Sequence, residues 1–215
     1  MDPRKALEPC PDIEVVASRL DLDPGAVDAL ASWLHDDECR RAGRFRLARD
    51  RRRYVVARGL LRKLLAARLG AHPRSVELSC GAHGKPCLAP GSAAGDLRFN
   101  VSHSGDLALF AFCRGRDIGV DVEAVLPLPD ADAVARQFFS RGELRAYRAL
   151  EPRERVLGFF TFWTRKEAYL KALGGGLQSA LSAFDAPPGW SLRSFSPAPG
   201  HTAALAVEPR GNAQG

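Results

Sequence analysis

From Glu154 to Leu173 apolar residues recur at helical spacing, and one acid intrudes on their stripe. At 3.6 residues per turn, Val156, Phe160, Trp163 and Leu170 fall within about 60° of Glu167, on the face that packs inward. The same period predicts a helix over 26–41, a longer one over 49–69 with Tyr54, Leu61, Leu65 and Leu69 aligned, and the start of another at 131–138. Gly70 with Pro73, and the run Gly174-Gly175-Gly176, stop the two long ones. Strands are predicted at 76–79, 99–104, 107–113, 117–123, 191–196 and 202–207, with a Gly105-Asp106 hairpin turn and a Gly/Pro-rich loop over 81–95. The strand 107–113 is apolar on both faces, which predicts a central position. Helix then strands, twice over, predicts an α+β fold in two similar halves, 1–116 and 117–215, with the division near Arg116.

With 215 residues, 46% of them hydrophobic, the chain can bury one good core or two small ones. The segment MDPRKALEPCPD has no signal-like apolar run, and no stretch approaches eighteen uncharged apolar residues, so a cytoplasmic location without a membrane partner is expected. Five cysteines (Cys10, Cys39, Cys80, Cys87, Cys113) show no paired spacing, which indicates reduced thiols rather than disulfides or zinc. The net charge of +6 is concentrated, because residues 40–74 carry thirteen Lys or Arg against one acid, Asp50. On charge alone, nucleic acid, a phosphorylated cofactor, an acidic protein and a merely solvated helix face are all open.

The carboxylates narrow that choice. In Asp117–Glu123 (DIGVDVE) the strand period puts Ile118, Val120 and Val122 on one face and Asp121 and Glu123 on the other. A surface i, i+4 pair with Lys171 would account for Glu167's charge but not for its place in the apolar stripe. Asp121, Glu123 and Glu167, with no Cys or His spacing around them, fit a hard cation, most naturally Mg²⁺, which pairs with phosphate oxygens. In Phe99–Gly105 (FNVSHSG) adjacent Ser and His point to opposite faces and no G-x-S-x-G elbow is present, so phosphate binding suits the segment better than nucleophilic catalysis. Gly84-Lys85-Pro86 reads equally as a plain turn, and the triple glycine lacks the Lys-Ser or Lys-Thr of a P-loop.

Taken in order, GKP at Gly84–Pro86, FNVSHS at Phe99–Ser104, DIGVDVE at Asp117–Glu123 and FWTRKEAYLKALGGGL at Phe162–Leu177 resemble the 4'-phosphopantetheinyl transferases of the surfactin-synthetase-activating type, from about residue 38 to about 185. The resemblance implies transfer of the phosphopantetheine arm of coenzyme A to a serine of an acyl or peptidyl carrier protein, with release of adenosine 3',5'-bisphosphate. It implies two pseudo-symmetric α+β halves, each a small antiparallel sheet on a long helix, with coenzyme A in the cleft between them. By the same resemblance Asp121, Glu123 and Glu167 hold Mg²⁺, for which Mn²⁺ can substitute, and Glu167 is also the base for the carrier serine. Lys171 meets a phosphate oxygen, Asn100, Ser102 and His103 contact the coenzyme, His83, Gly84, Lys85 and Pro86 form its adenine-side loop, and Arg41 meets the nucleotide 3'-phosphate. KEA after Trp163 is similar to a branch linked to siderophore or broad-range carriers. The carrier partner is expected to be acidic, with apolar contacts around Leu177 to Phe184, and the protein a monomer. The competing readings are a nucleic-acid module, which has no use for the three carboxylates, a non-catalytic coenzyme A binder, against which all three metal-ligand candidates are present, and a metal-dependent nuclease or phosphatase, which does not account for the four motifs in order.

Overall fold

The computed structural model describes residues 12–81, 85–90, 95–174 and 189–210. The first half runs β1 (Ile13–Arg19), α1 (Pro24–Ala31), α2 (Asp36–Ala42), α3 (Ala48–Leu69), β2 (Leu78–Cys80), β3 (Pro86–Leu88), β4 (Leu97–Ser104) and β5 (Leu107–Arg114). The second runs β6 (Ile118–Ala124), α4 (Ala131–Phe138), α5 (Arg141–Arg148), α6 (Arg155–Leu173), β7 (Ser191–Phe195) and β8 (His201–Val207). Two antiparallel three-stranded sheets have the orders β1-β5-β4 and β6-β8-β7, and β2 pairs with β3. In each half the first strand is followed by helices ending in a long one, and the last strand then enters the middle of the sheet. This shared topology is a duplication that residue-by-residue reading does not reveal.

Strand alternation builds four layers. On one face of β5, Ala108, Phe110 and Phe112 pack with Val56, Leu61 and Leu65 of α3. On the other, Leu107, Leu109, Ala111 and Cys113 meet Ile118, Val120 and Val122 of β6 and Ala203, Leu205 and Val207 of β8, so the two sheets lie face to face. The far side of the second sheet is covered by Ala168, Tyr169 and Ala172 of α6 against Ala204 and Ala206. Nearer its start, α6 packs instead on α4 and α5 around Phe139, Tyr147 and Phe159. The helix therefore buries different sides along its length, and Glu167 lies inward as its place in the stripe predicts, at 6% exposure.

The expected helix over 26–41 is two helices, because separate caps compete for the chain. Asp23 accepts from Ala26 N at 2.9 Å to start α1, and the Glu38 carboxylate turns back to accept from His35 N at 2.9 Å to start α2. Three elements were not anticipated. In β1 only Ile13, Val15 and Ala17 alternate before Arg19 breaks the pattern, and β3 lies inside the expected 81–95 loop. The third, α5, is short and polar and begins with a reciprocal pair, Ser140 N to Glu143 Oε2 at 2.8 Å and Glu143 N to Ser140 Oγ at 3.2 Å. A 3₁₀ turn at Pro152–Glu154 precedes α6, which starts at Arg155. His83, Gly84, Gly175, Gly176 and the segment Leu177 to Phe184 lie outside the described residues. Among the described residues no helix is long and apolar enough to cross a membrane.

At Gly119 the backbones of β6 and α6 nearly touch. A Cβ there would lie 1.9 Å from Ala168 O and 2.4 Å from Ala172 N, both backbone atoms that cannot rotate away. Gly119→Ala should therefore destabilise the protein by roughly 3–5 kcal/mol in urea titrations. Gly43→Ala, whose Cβ meets nothing closer than 3.5 Å, should stay within about 1 kcal/mol of wild type. Equal effects of the two substitutions would overturn this account of the contact.

Candidate active site

Edge strands β4 and β6 run side by side, joined by side chains rather than by a backbone ladder. Asn100 Oδ1 accepts from Val120 N at 2.9 Å, Ser102 Oγ from Val122 N at 3.3 Å and Ser104 Oγ from Ala124 N at 3.0 Å. Three alternate residues of β4 thus satisfy three alternate amides of β6, and the β6 edge that would otherwise carry unpaired donors is closed. The same two serines reach the acids. Ser102 Oγ donates to Asp121 Oδ1 at 2.8 Å, and Ser104 Oγ donates to Glu123 Oε2 at 2.9 Å. Reading FNVSHS as a phosphate loop missed Ser104 and the junction. The alternation Asn100, Ser102, Ser104 was the available signal.

Above this junction α6 presents Glu167 and, one turn on, Lys171. Lys171 Nζ donates to Asp121 Oδ1 at 2.6 Å and to Ser102 Oγ at 2.9 Å. Asp121 is 3% exposed, and its other oxygen, Oδ2, has no hydrogen-bond partner. Glu167 Oε1 is equally buried and unpartnered. Burial, then the neighbouring Asp121 charge, pushes the Glu167 carboxyl up to about 7, against the opposing pull of Lys171. Burial also raises Glu123, which its hydrogen bond from Ser104 partly offsets. His103, on the opposite face of β4 from the two serines, has its pKa lowered by desolvation and then by the Lys171 and Arg53 cations, so it is neutral at pH 7.

Among the described residues no group of three or more His, Cys, Asp or Glu side chains is arranged as a finished metal cage. The donor chemistry nevertheless fits a hard cation. Two buried carboxylate oxygens without partners are costly, and a divalent ion is what such oxygens accept.

The remaining predicted residues are dispersed. Arg41, on α2, lies over the Tyr54 ring at 5.7 Å and, with Asp37, Arg40, Arg44 and Phe45, lines a cavity of about 610 Å³ that shares no residue with the carboxylate cluster. Pro86 begins β3 opposite Cys80. The Lys85 ammonium is engaged by main-chain carbonyls of Ile118, Lys171 and Ala172. A part of the basic block is turned inward. Arg58 and Arg62 both close on Glu38, which is 2% exposed, Arg62 also donates to Val76 O at 2.9 Å, and Arg53 pairs with Asp106 at 2.7 Å. The exposed remainder is Arg40, Arg41, Arg44, Arg46, Arg49, Arg51, Arg52, Lys63 and Arg74.

Comparison with known proteins divides the chain in the same place as its sheets. Residues 117–203 match the 4'-phosphopantetheinyl transferase superfamily, and residues 24–114 match the 4'-phosphopantetheinyl transferase N-terminal family. The chain is 38% identical over 199 residues to the 4'-phosphopantetheinyl transferase HetI of Nostoc sp., covering 87% of this chain and 84% of that protein. It is 34% identical over 146 residues to AcpT of Salmonella typhimurium, 68% of this chain and 72% of the relative. With Sfp of Bacillus subtilis the identity is 28% over 153 residues, 71% and 66% of the two chains.

The Glu167 carboxyl gives a signed prediction for the metal-free protein. Its folded pKa, about 7, exceeds the ordinary 4.5, so between these values the folded state binds more protons and stability falls as pH rises. The loss is complete above about pH 7 and amounts to roughly 3 kcal/mol. Glu167→Gln should recover most of it at pH 8 and little at pH 4.5, measured by urea unfolding in the presence of a chelator. A variant less stable than wild type at pH 8 would contradict the assignment.

Proposed function

This chain belongs to the 4'-phosphopantetheinyl transferases, which move phosphopantetheine from coenzyme A to a carrier-protein serine, and from that premise we propose how its own residues divide the work. The reading rests chiefly on one observation: two unpartnered, buried carboxylate oxygens, on Asp121 and Glu167, face a junction that also presents Lys171 and Ser102.

Asp121, Glu123 and Glu167 would hold Mg²⁺, or Mn²⁺ in its place. When bound, the ion supplies neutralisation of the charge that develops on the phosphate leaving the arm. Lys171 donates from its ammonium to a phosphate oxygen, and Ser102, already bonded to both Lys171 and Asp121, keeps the two groups aligned. Neutral His103 donates to the coenzyme phosphates without adding charge. Glu167 takes the proton from the carrier serine, a task its carboxylate can perform as an acceptor. Arg41 and its neighbours Arg40 and Arg44, in the cavity beside Phe45, receive the nucleotide 3'-phosphate, and His83, Gly84 and Pro86 flank the adenine.

The functional division falls at Arg116, with the nucleotide side in 1–116 and the metal and carrier side in 117–215. The surfactin-synthetase-activating type fits best, and KEA after Trp163 favours its siderophore or broad-range branch. An acidic carrier suits the exposed arginines of residues 40–52. The protein acts as a cytoplasmic monomer, since one chain supplies both halves.

Incubation with coenzyme A, Mg²⁺ and an apo carrier domain should add one phosphopantetheine group to the carrier, read by mass spectrometry. Glu167→Gln should lower turnover by about two orders of magnitude or more while the circular dichroism spectrum is unchanged. Wild-type turnover in that variant would remove the base role from Glu167. Failure of the wild-type protein to modify any of several acyl and peptidyl carriers would remove the reaction itself.

A further inference from the structure

Lys85 stands immediately before β3, and its own carbonyl accepts from Gly81 N at 2.8 Å, which holds its backbone in the β2–β3 hairpin of the first half. Its ammonium crosses into the second half. It donates to Lys171 O at 2.5 Å and Ala172 O at 3.2 Å in the last turn of α6, and to Ile118 O at 3.4 Å at the start of β6. An ammonium has three N–H donors, and here three carbonyls take them, which leaves none directed at a phosphate. The carbonyls of a last helical turn are short of partners, Lys171 O accepting only a 3.3 Å bond from Gly174 N, and carry the negative end of the helix dipole, so a partly buried cation there is doubly favoured. This arrangement departs from the nucleotide contact that the GKP motif suggests for the residue.

Resting on the transferase reading above, we propose that Lys85 is a positioning residue: its ammonium ties the end of α6 to the start of β6, and so holds Lys171 and Glu167 over Asp121. The geometry is specific about what the tie controls. Lys171 contributes one of the gripped carbonyls and, through its side chain, the bonds to Asp121 Oδ1 and Ser102 Oγ. Glu167 lies one turn earlier on the same face. Release of the last turn would let both groups drift from Asp121, while the arginine-lined cavity on α2 would be untouched.

The test compares Lys85→Met, which keeps length and removes the donors, with Lys85→Arg, which keeps charge and donors. For Lys85→Met, kcat for transfer to an apo carrier should fall about tenfold, with KM and the calorimetric Kd for coenzyme A within about twofold of wild type. Hydrogen exchange of the amides from Leu170 to Gly174 should accelerate, and Lys85→Arg should recover at least part of kcat and of the protection. A Kd for coenzyme A weakened tenfold with kcat intact would make Lys85 a nucleotide ligand and overturn the proposal, as would unchanged kcat and exchange. If Lys85→Met fails to fold, Lys85→Gln, which retains two donors, should fold with intermediate kcat and exchange, and wild-type values for both would be equally fatal. Exchange is measured without substrate, so an absence of transfer by the wild type would count against the transferase reading and leave this comparison to decide the role of Lys85 separately.

Discussion

Everything at the site depends on two backbones being allowed to touch. Where α6 crosses β6 at Gly119, the absence of a side chain lets the helix descend until Ala168 and Ala172 rest on the strand. Glu167 and Lys171 are carried down with it, to the level of Asp121 two residues along the strand. Burial then follows from geometry, and perturbed protonation follows from burial. The Glu167 carboxyl is raised because the contact that brings it to Asp121 also strips it of water. A helix held further out by even one methyl group would leave the same acids hydrated and separate. The chain therefore accepts a costly local electrostatic arrangement that the surrounding apolar layers, sheet on sheet and helix on sheet, are large enough to support.

The halves are joined by two different devices. Face to face, the sheets share a core of Leu, Val, Ile and Ala, which gives cohesion without direction. Along the edge, Asn100, Ser102 and Ser104 give direction without much area, because each side chain can meet only its own amide on β6. The chemistry gathers at this directional edge, where Ser102 and Ser104 turn their remaining hydrogen-bonding capacity toward Asp121 and Glu123. Rigid support and polar reactivity meet in the same two serines.

What could be read from the chain reflects how far each signal travels. Long periodic segments such as α3 and α6 were apparent, as was the central place of β5, because the pattern within each is set by the core it faces. Glu167 was conspicuous as an acid in an apolar stripe. The segments that escaped are those made by partners elsewhere. β1 is ordered by pairing with β5 almost a hundred residues later, β3 by its three-residue match to β2, and the break between α1 and α2 by a single buried acid that closes on two arginines of α3. The basic block is only partly legible for a related reason. A count of charges does not distinguish an arginine facing water from Arg62, which is 1% exposed and bonded to Glu38 and to main-chain carbonyls. The motif Lys85 belongs to was visible, but the three carbonyls that surround its ammonium come from residues 33 to 87 positions away.

The constant spacing of twenty along the joined edge, 100 with 120, 102 with 122 and 104 with 124, has a bearing on how the molecule assembles. Displacement of β4 by a single position would present Val101 and His103 where Asn100 and Ser102 now stand. Valine has no acceptor to offer the Val120 amide, so the misthreaded pairing would bury a polar hydrogen with nothing to receive it. The alternation in FNVSHS thus acts as a key cut for one alignment, rejecting faulty docking of the two halves before any ligand is present to select among them.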